Sequence, residues 1–470
     1  SVLDIAGDVL VKADADGSIS AHIANQALAL DLSVGAEAGA ASSLTVAPVM
    51  ALNRVAAGTE AHWVVGETGD KAAIDGDLRV LAAGDTDITA RVSATAASAG
   101  LSQAGAAKAL SFGLSFARNA IEHGVTAKVV DALDGLDARP ELPIEGDVQI
   151  EATRTAAINA QGVATAIALA ASAGNGLAIS GAGTLGFNRV NGATRAVLSG
   201  VSLSGGGDLR VESRDRARID ARLRATAASV AVGLGSGSAP AAALGLALAR
   251  NEIGQSQLAD VSADYTVADT PSTLTRGDTV RITDGPLRGG VYEYLGEDTD
   301  SPVLANQNFE DRSLWQRVDL QSTAAGLSAT IEDSEVDISG SLTVKAEARS
   351  LIDAEVAATS VAIGASPGTG VSVAAGGVVT LNVIDRDIIS QINQANYIVA
   401  DDISILSENK TGIDARTGAA ALSGALGNTG VAISVGLALA FNEVDSDARA
   451  TLSDVARLES RTGAIDVSAR

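Results

Sequence analysis

Large and small side chains alternate strictly along several stretches of this chain. From Val431 to Asn442 the odd positions are Val431, Ile433, Val435, Leu437, Leu439 and Phe441, while the even ones are Ala, Ser or Gly. Leu110, Phe112, Leu114 and Phe116 alternate with small residues ahead of Asn119, and Leu244, Leu246 and Leu248 do the same ahead of Asn251. A period of two predicts extended strands, because successive side chains then point to opposite faces. Alanine favours helix intrinsically, but the repeated alternation and the interspersed Gly, Ser and Thr outweigh it. Both faces read as buried. The large face suits an ordinary core about 10 Å thick, and the small face permits close approach of another layer.

The alternation belongs to a repeat. A short β-like phrase starts at Gly7, Gly76, Gly146, Gly207, Gly340, Asp401 and Gly463, as in Gly146-Asp147-Val148-Gln149-Ile150. The starts lie 69, 70, 61, 133, 61 and 62 residues apart, so the fourth interval is one unit plus an insertion. Twelve residues after each of the first six starts stands Ile19, Ile88, Ile158, Ile219, Ile352 or Ile413. Between 41 and 46 residues after each start stands Asn53, Asn119, Asn188, Asn251, Asn382 or Asn442, with Val or Ile two residues later. Such regularity marks a repeat architecture.

Each unit reads as four strands: the Gly-Asp phrase, the segment at the isoleucine, the alternating segment ending at Asn, and a short strand such as Val197-Leu198 or Thr451-Leu452. Turns rich in Gly, Asp and Ser separate them. The expected fold is all-β: an elongated repeat β-solenoid of about 61–70-residue units with one small inserted β module. The units run 7–75, 76–145, 146–206, 207–339, 340–400 and 401–462, with the tail of a preceding unit at 1–6 and the start of a seventh at 463–470. Ser1-Val2-Leu3-Asp4 parallels Ala196-Val197-Leu198-Ser199, and neither end resembles a polar cap, so the stretch reads as cut from a longer array. A string of separate sandwiches is the competing architecture; units of about 61 residues without aromatic cores disfavour it. Stacked units would align the six asparagines in an amide ladder; six independent turn caps are the alternative.

Composition narrows the function classes. Of 470 residues, 46% are hydrophobic but only 2% aromatic, and there is no cysteine. That excludes disulfides, thiolate metal sites and a cysteine nucleophile. A net charge of −24 argues against nucleic acid as partner. No signal peptide and no uninterrupted apolar run long enough for a transmembrane segment is present. No Ser-His-Asp spacing, P-loop or nucleophile elbow stands out, so no catalytic residue is assigned and the chain reads as a non-enzyme without a cofactor. Calcium is the one ion worth weighing: Asp14 and Asp16 beside Gly17, and Asp134 beside Gly135, form weak candidate loops, but none continues into an EF-hand. Recurring acids at Asp220, Asp353 and Asp414 should face solvent, a cation or an arginine such as Arg218 or Arg416.

The insertion at about 270–320 is different. It holds Tyr292, Tyr294, Phe309 and Trp315, four of the chain's eleven aromatics. Asp278–Ile282 and Val291–Leu295 read as strands flanking a turn at Gly285-Pro286, and Arg276-Gly277-Asp278 as a polar turn. The pattern of Gly277, Asp278, Val280, Tyr292 and Trp315 loosely resembles small chitin-type carbohydrate-binding modules, which makes Tyr292, Tyr294 and Trp315 candidate glycan-stacking residues. The competing reading makes the same three rings the core of a small module.

The alternating strands that end in Phe441-Asn442-Glu443-Val444 or Phe187-Asn188-Arg189-Val190, together with Gly289–Gly296, resemble repeats of giant secreted bacterial surface proteins, adhesin-like or filamentous-haemagglutinin-like. That resemblance implies a β-solenoid at the cell surface or in an extracellular matrix. It also implies a role in attachment or cohesion, with copies of itself, adjoining repeats, surface glycans or another cell surface as partners. A carbohydrate-binding surface protein acting through the insertion is the alternative, and a polysaccharide-cleaving β-helix enzyme a distant third.

Overall fold

The computed structural model describes all residues except 1, 36–38, 66–70, 132–138, 255–262, 283–290, 301, 310–313 and 318–325. The chain is almost entirely β and winds as an elongated parallel solenoid. Each coil contributes to three walls. The first wall stacks Val9–Ser33, Leu78–Ser102, Val148–Ser172, Leu209–Gly233, Leu342–Ala365, Ile403–Leu426 and Ile465–Ala469. After a turn at the far tip the chain returns along the second wall, whose long strands include Ala41–Val65, Ala107–Asp131, Gly176–Asn191, Ser238–Ile253, Thr369–Asp385 and Thr429–Asp445. A third, narrow wall of four-residue strands, such as Glu141–Ile144 and Ser202–Gly205, closes the near end.

The sequence landmarks stack in register. Ile19, Ile88, Ile158, Ile219, Ile352 and Ile413 form one column of the first wall. Leu209–Gly233 pairs with Leu342–Ala365 although 133 residues separate partners, so the insertion is looped out of the stack. The register leaves the second wall after Ile253 and resumes at Leu327, a wider gap than 270–320. The four expected strands are drawn differently in the structure. The Val9-Leu10-Val11 part of the Gly-Asp phrase and the isoleucine segment are one unbroken 25-residue strand, and Gly17 sits inside it instead of at a turn. In the first two coils the last two expected strands also fuse. Val2–Ile5 pairs with Lys71–Ile74 in the third wall, whereas Ala196–Ser199 lies in the second, so the two apolar phrases are not equivalent.

The interior tapers. At the near end Ile144 and Leu203 of the third wall meet Val80, Ile150 and Val211 of the first and Val129 and Leu198 of the second. Midway, the isoleucine column packs on Ile121, Val190, Ile253 and Ile384. Toward the tip the core is almost all alanine, for example Ala166, Ala168 and Ala170 against Ala178 and Ala241. Wall separation follows the size of the inward residues, so the walls close to a thin blade. A Cβ on Gly113 would lie 2.6 Å from the Thr165 carbonyl oxygen, and one on Gly100 2.5 Å from that of Lys108. Such approach is open only to glycine.

The large alternating residues therefore face outward, which corrects the expectation that they form a core. Leu114, Leu244 and Leu246 are 46%, 44% and 50% exposed, whereas Ala243, Ala247 and Ala249 are buried. The reason is geometric: alternation separates two faces, and the small face is the one that lets the walls meet.

The insertion folds as a separate module. Tyr265–Thr266, Thr279–Arg281, Val291–Tyr294 and Trp315–Arg317 form one sheet, and Thr273–Leu274 pairs with Thr299–Asp300. The Gly285-Pro286 turn lies outside the described residues.

Candidate functional site

The six asparagines are brought together. The Asn53 amide donates to Asn119 Oδ1 at 2.8 Å, Asn119 to Asn188 at 2.8 Å, Asn188 to Asn251 at 2.8 Å, Asn251 to Asn382 at 2.8 Å and Asn382 to Asn442 at 2.7 Å. Asn119, Asn188, Asn251 and Asn382 are buried on the inner face of the second wall. An amide that both donates and accepts along the axis can be buried in an apolar interior without an orphaned group on that path. The run is continuous from Asn53 to Asn442, and the looped-out insertion does not interrupt it.

A second ladder runs along the corner aspartates. Asp8 Oδ1 accepts from the Asp77 backbone N–H at 3.0 Å, Asp77 from Asp147 at 3.0 Å, Asp147 from Asp208 at 2.9 Å and Asp208 from Ser341 at 2.9 Å. The Gly-Asp phrase is thus a corner at which each carboxylate holds the turn of the next coil. The glycine before it is required by packing: a Cβ on Gly146 would lie 2.5 Å from Asp77 Oδ1. The recurrence of Gly-Asp at unit spacing was the available signal.

A third feature breaks the apolar interior. Arg154, Asp215 and Arg386 are fully buried, with Arg154 Nη2 2.7 Å from Asp215 Oδ2 and Arg386 Nη1 2.8 Å from Asp215 Oδ1. Thr194 Oγ1 donates to Asp215 at 3.0 Å, and Arg154 Nη1 donates to the His123 and Asn191 carbonyls, each at 2.9 Å. Buried His123 shares a 2.8 Å hydrogen bond with Thr59. Burial drives the Arg154 guanidinium down to about 10 despite Asp215. Burial pushes the Asp215 carboxyl up, but Arg154 and Arg386 outweigh it and hold it below the usual carboxylate range. Burial, then the charge of Arg154, lowers His123. Two arginines share one carboxylate, so a neutral His123 avoids adding a third positive charge to a medium that stabilises charge poorly.

On the outer face of the first wall, an open groove of about 730 Å³ is lined by Arg216, Arg218, Arg349, Leu351 and Lys410 among others. Most of its cations are matched locally. Arg218 Nε lies 2.8 Å from Asp220, Arg349 Nη2 2.6 Å from Glu347 and Lys410 Nζ 2.7 Å from Glu408. Burial raises Glu347, but hydrogen bonds from Lys345 and Arg349 prevail and bring it to about 2. Asp220, Asp353 and Asp414 stack as neighbours, and Arg416 Nη2 lies 3.0 Å from Asp414.

The remaining candidates disperse. Asp14 and Asp16 lie on the exposed face of a straight strand, with Asp14 2.5 Å from Lys12 Nζ, so no turn gathers them round an ion. Asp134 falls outside the described residues. Among the described residues no group of three His, Asp or Glu side chains is placed to hold a metal. Tyr292, Tyr294 and Trp315 are 6%, 6% and 2% exposed. They pack with Phe309 and Leu304, with ring centroids of Tyr294 and Trp315 5.1 Å apart and of Phe309 and Trp315 4.6 Å apart. These three rings pack into the module's own core. Arg276-Gly277-Asp278 is a turn in which Asp278 Oδ2 accepts from the Thr275 N–H at 2.7 Å. No helix among the described residues is long and apolar enough to cross a membrane.

Comparison with family models, curated proteins and solved structures finds no match.

Proposed function

We propose that the chain is a structural, adhesive segment of a very long extracellular repeat protein or filament that mediates cell-surface attachment or cohesion between cells and matrix. One observation carries this reading: the ladders of backbone and asparagine bonds run coil to coil across the stack, and corner aspartate bonds join most of its coils. No cleft with converging, unmatched chemical groups competes with them among the described residues. A stack of this kind resists bending and extension, because deforming it breaks many parallel hydrogen bonds together. The resemblance of its repeats to those of giant secreted bacterial surface proteins supports the surface location.

The test is twofold. Electron microscopy of the isolated chain should show a flat blade, about 80 Å along its 25-residue strands and about 30 Å along its seven-strand stack, bearing one lateral knob. Cells displaying the chain should then settle on surfaces or on one another more than cells lacking it. A spherical particle, or a displayed chain that changes neither attachment nor cohesion, contradicts the reading. Tyr292, Tyr294 and Trp315 are buried in the module's own core, so glycan recognition by the insertion has no exposed ring among these three to support it.

A further inference from the structure

The outer face of the second wall, between the blade tip and the asparagine column, is apolar in nearly every position. It presents Leu44, Leu114, Leu246, Val373 and Leu437 among its exposed side chains. The columns are set by the register of the six long strands. From the Ser42 column to the Leu52 column there is no acidic side chain on this face, although the chain carries 57 acids and a net charge of −24. Lys108, Arg118 and Arg250 are its only charged members.

Parallel sheets are normally covered on both faces. Eleven residues at about 3.3 Å each and six strands at about 4.8 Å make this face about 900 Å² across. A stable interface takes about 800 Å² from each partner, and soluble monomers rarely leave more than a few hundred Å² of contiguous apolar surface open.

We infer that this face is the docking surface for a second copy of the chain, the two blades packing wall to wall about a two-fold axis. A flat, uncharged patch is self-complementary, as an isologous contact requires. The alternation of Leu and Phe with Gly181, Gly183 and Gly377 gives ridges and hollows that interdigitate. The net charge of −24 disfavours contact over most of the remaining surface; the outer face of the first wall is also acid-free from the Ala24 to the Leu32 column, but it carries Gln26, Ser93, Thr95, Thr165, Thr226 and Thr359 among its apolar residues. The outcome is a paired blade with its acidic surfaces outward. This deepens the filament reading by naming its lateral contact.

Sedimentation equilibrium of the full chain from nanomolar to high micromolar concentration tests the pairing. The expected species is a dimer. The double variant Leu114→Lys, Leu246→Lys should raise its dissociation constant at least about 100-fold, since two-fold symmetry places each change in the interface twice. Both positions point outward, so far-UV circular dichroism should stay that of the wild type. A matching variant on the outer face of the first wall, Ile167→Lys with Leu169→Lys, should leave the dimer intact. A wild-type chain that stays monomeric overturns the inference. So does a dimer that survives the second-wall variant, or a monomer that instead binds neutral phosphatidylcholine vesicles through this face. A blade-shaped monomer would remove the pairing and leave the filament reading standing; a spherical particle would remove both.

Discussion

Replacing Asn251 by alanine separates a ladder from a set of independent caps. In the wild type Asn251 accepts from Asn188 and donates to Asn382, each at 2.8 Å, and it is fully buried. The substitution removes both bonds and strands an N–H of Asn188 and the Oδ1 of Asn382 in the interior. A buried polar group left without a partner costs about 1–3 kcal/mol. The two together should therefore cost about 2–5 kcal/mol. Asn442 stands at an exposed position and makes one ladder bond, as acceptor from Asn382. Its replacement should cost about 1 kcal/mol, because water can reach the group left behind. Independent turn caps would cost the same at both positions. Urea unfolding gives the comparison, supported by native-state hydrogen exchange because long arrays need not unfold in one step. Equal losses, or a change within about 0.5 kcal/mol at Asn251, would refute the ladder as a stabilising element.

Other perturbations test the interior. Asp215→Ala leaves Arg154 and Arg386 facing each other without a carboxylate and should cost about 3–5 kcal/mol in denaturant unfolding; a loss below about 1 kcal/mol would mean that the pair is solvated. Because the folded pKa of His123 is depressed, its contribution is present above the unfolded value near 6.5 and declines as pH falls through that range. Stability measured from pH 7.5 to 5 should therefore fall less in His123→Gln than in the wild type, and identical slopes would exclude His123 as the cause. Gly113→Val puts a side chain 2.6 Å from the Thr165 carbonyl oxygen and should lower stability by about 1–3 kcal/mol. Gly58→Ala, where an added Cβ meets nothing within 4 Å, should be nearly silent in the same thermal melt.

The repeat, its register and the all-β winding were legible because stacking forces equivalent residues into columns. Ile219 and Ile352 sit opposite one another as their positions in the unit require, even across the insertion. Orientation was less legible. Alternation at Leu244 to Ala249 marks two faces, and the usual preference for large residues inside pointed to the wrong one. What decides it is the opposite wall, whose inward residues at the blade are also Ala and Ser, and one strand does not reveal its partner's face. The third wall escaped because four-residue strands such as Ser202–Gly205 carry too little pattern to stand apart from the turns beside them. Arg154 and Asp215, the latter in an arginine-rich stretch, look like surface residues; only the period-two count from the buried Ile158 and Ile219 places them inward. The aromatics of the insertion offered two readings, and the small size of the module decided between them, since without those rings it has almost no core.

The most direct test of the winding is a cross-link between residues far apart in the chain. The sequence has no cysteine, so a double variant reports cleanly. Ala228 and Val361 are register partners on neighbouring coils, facing the same way, with the insertion between them in sequence. Strand neighbours about 4.8 Å apart lie within the Cα range a disulfide can bridge, about 4.4–6.8 Å. Mild oxidation of Ala228→Cys, Val361→Cys should close an intramolecular disulfide, while Ala228→Cys, Ala362→Cys, with side chains on opposite faces, should not. Failure of the first pair, or equal closure of both, would contradict a parallel stack from which the insertion is looped out.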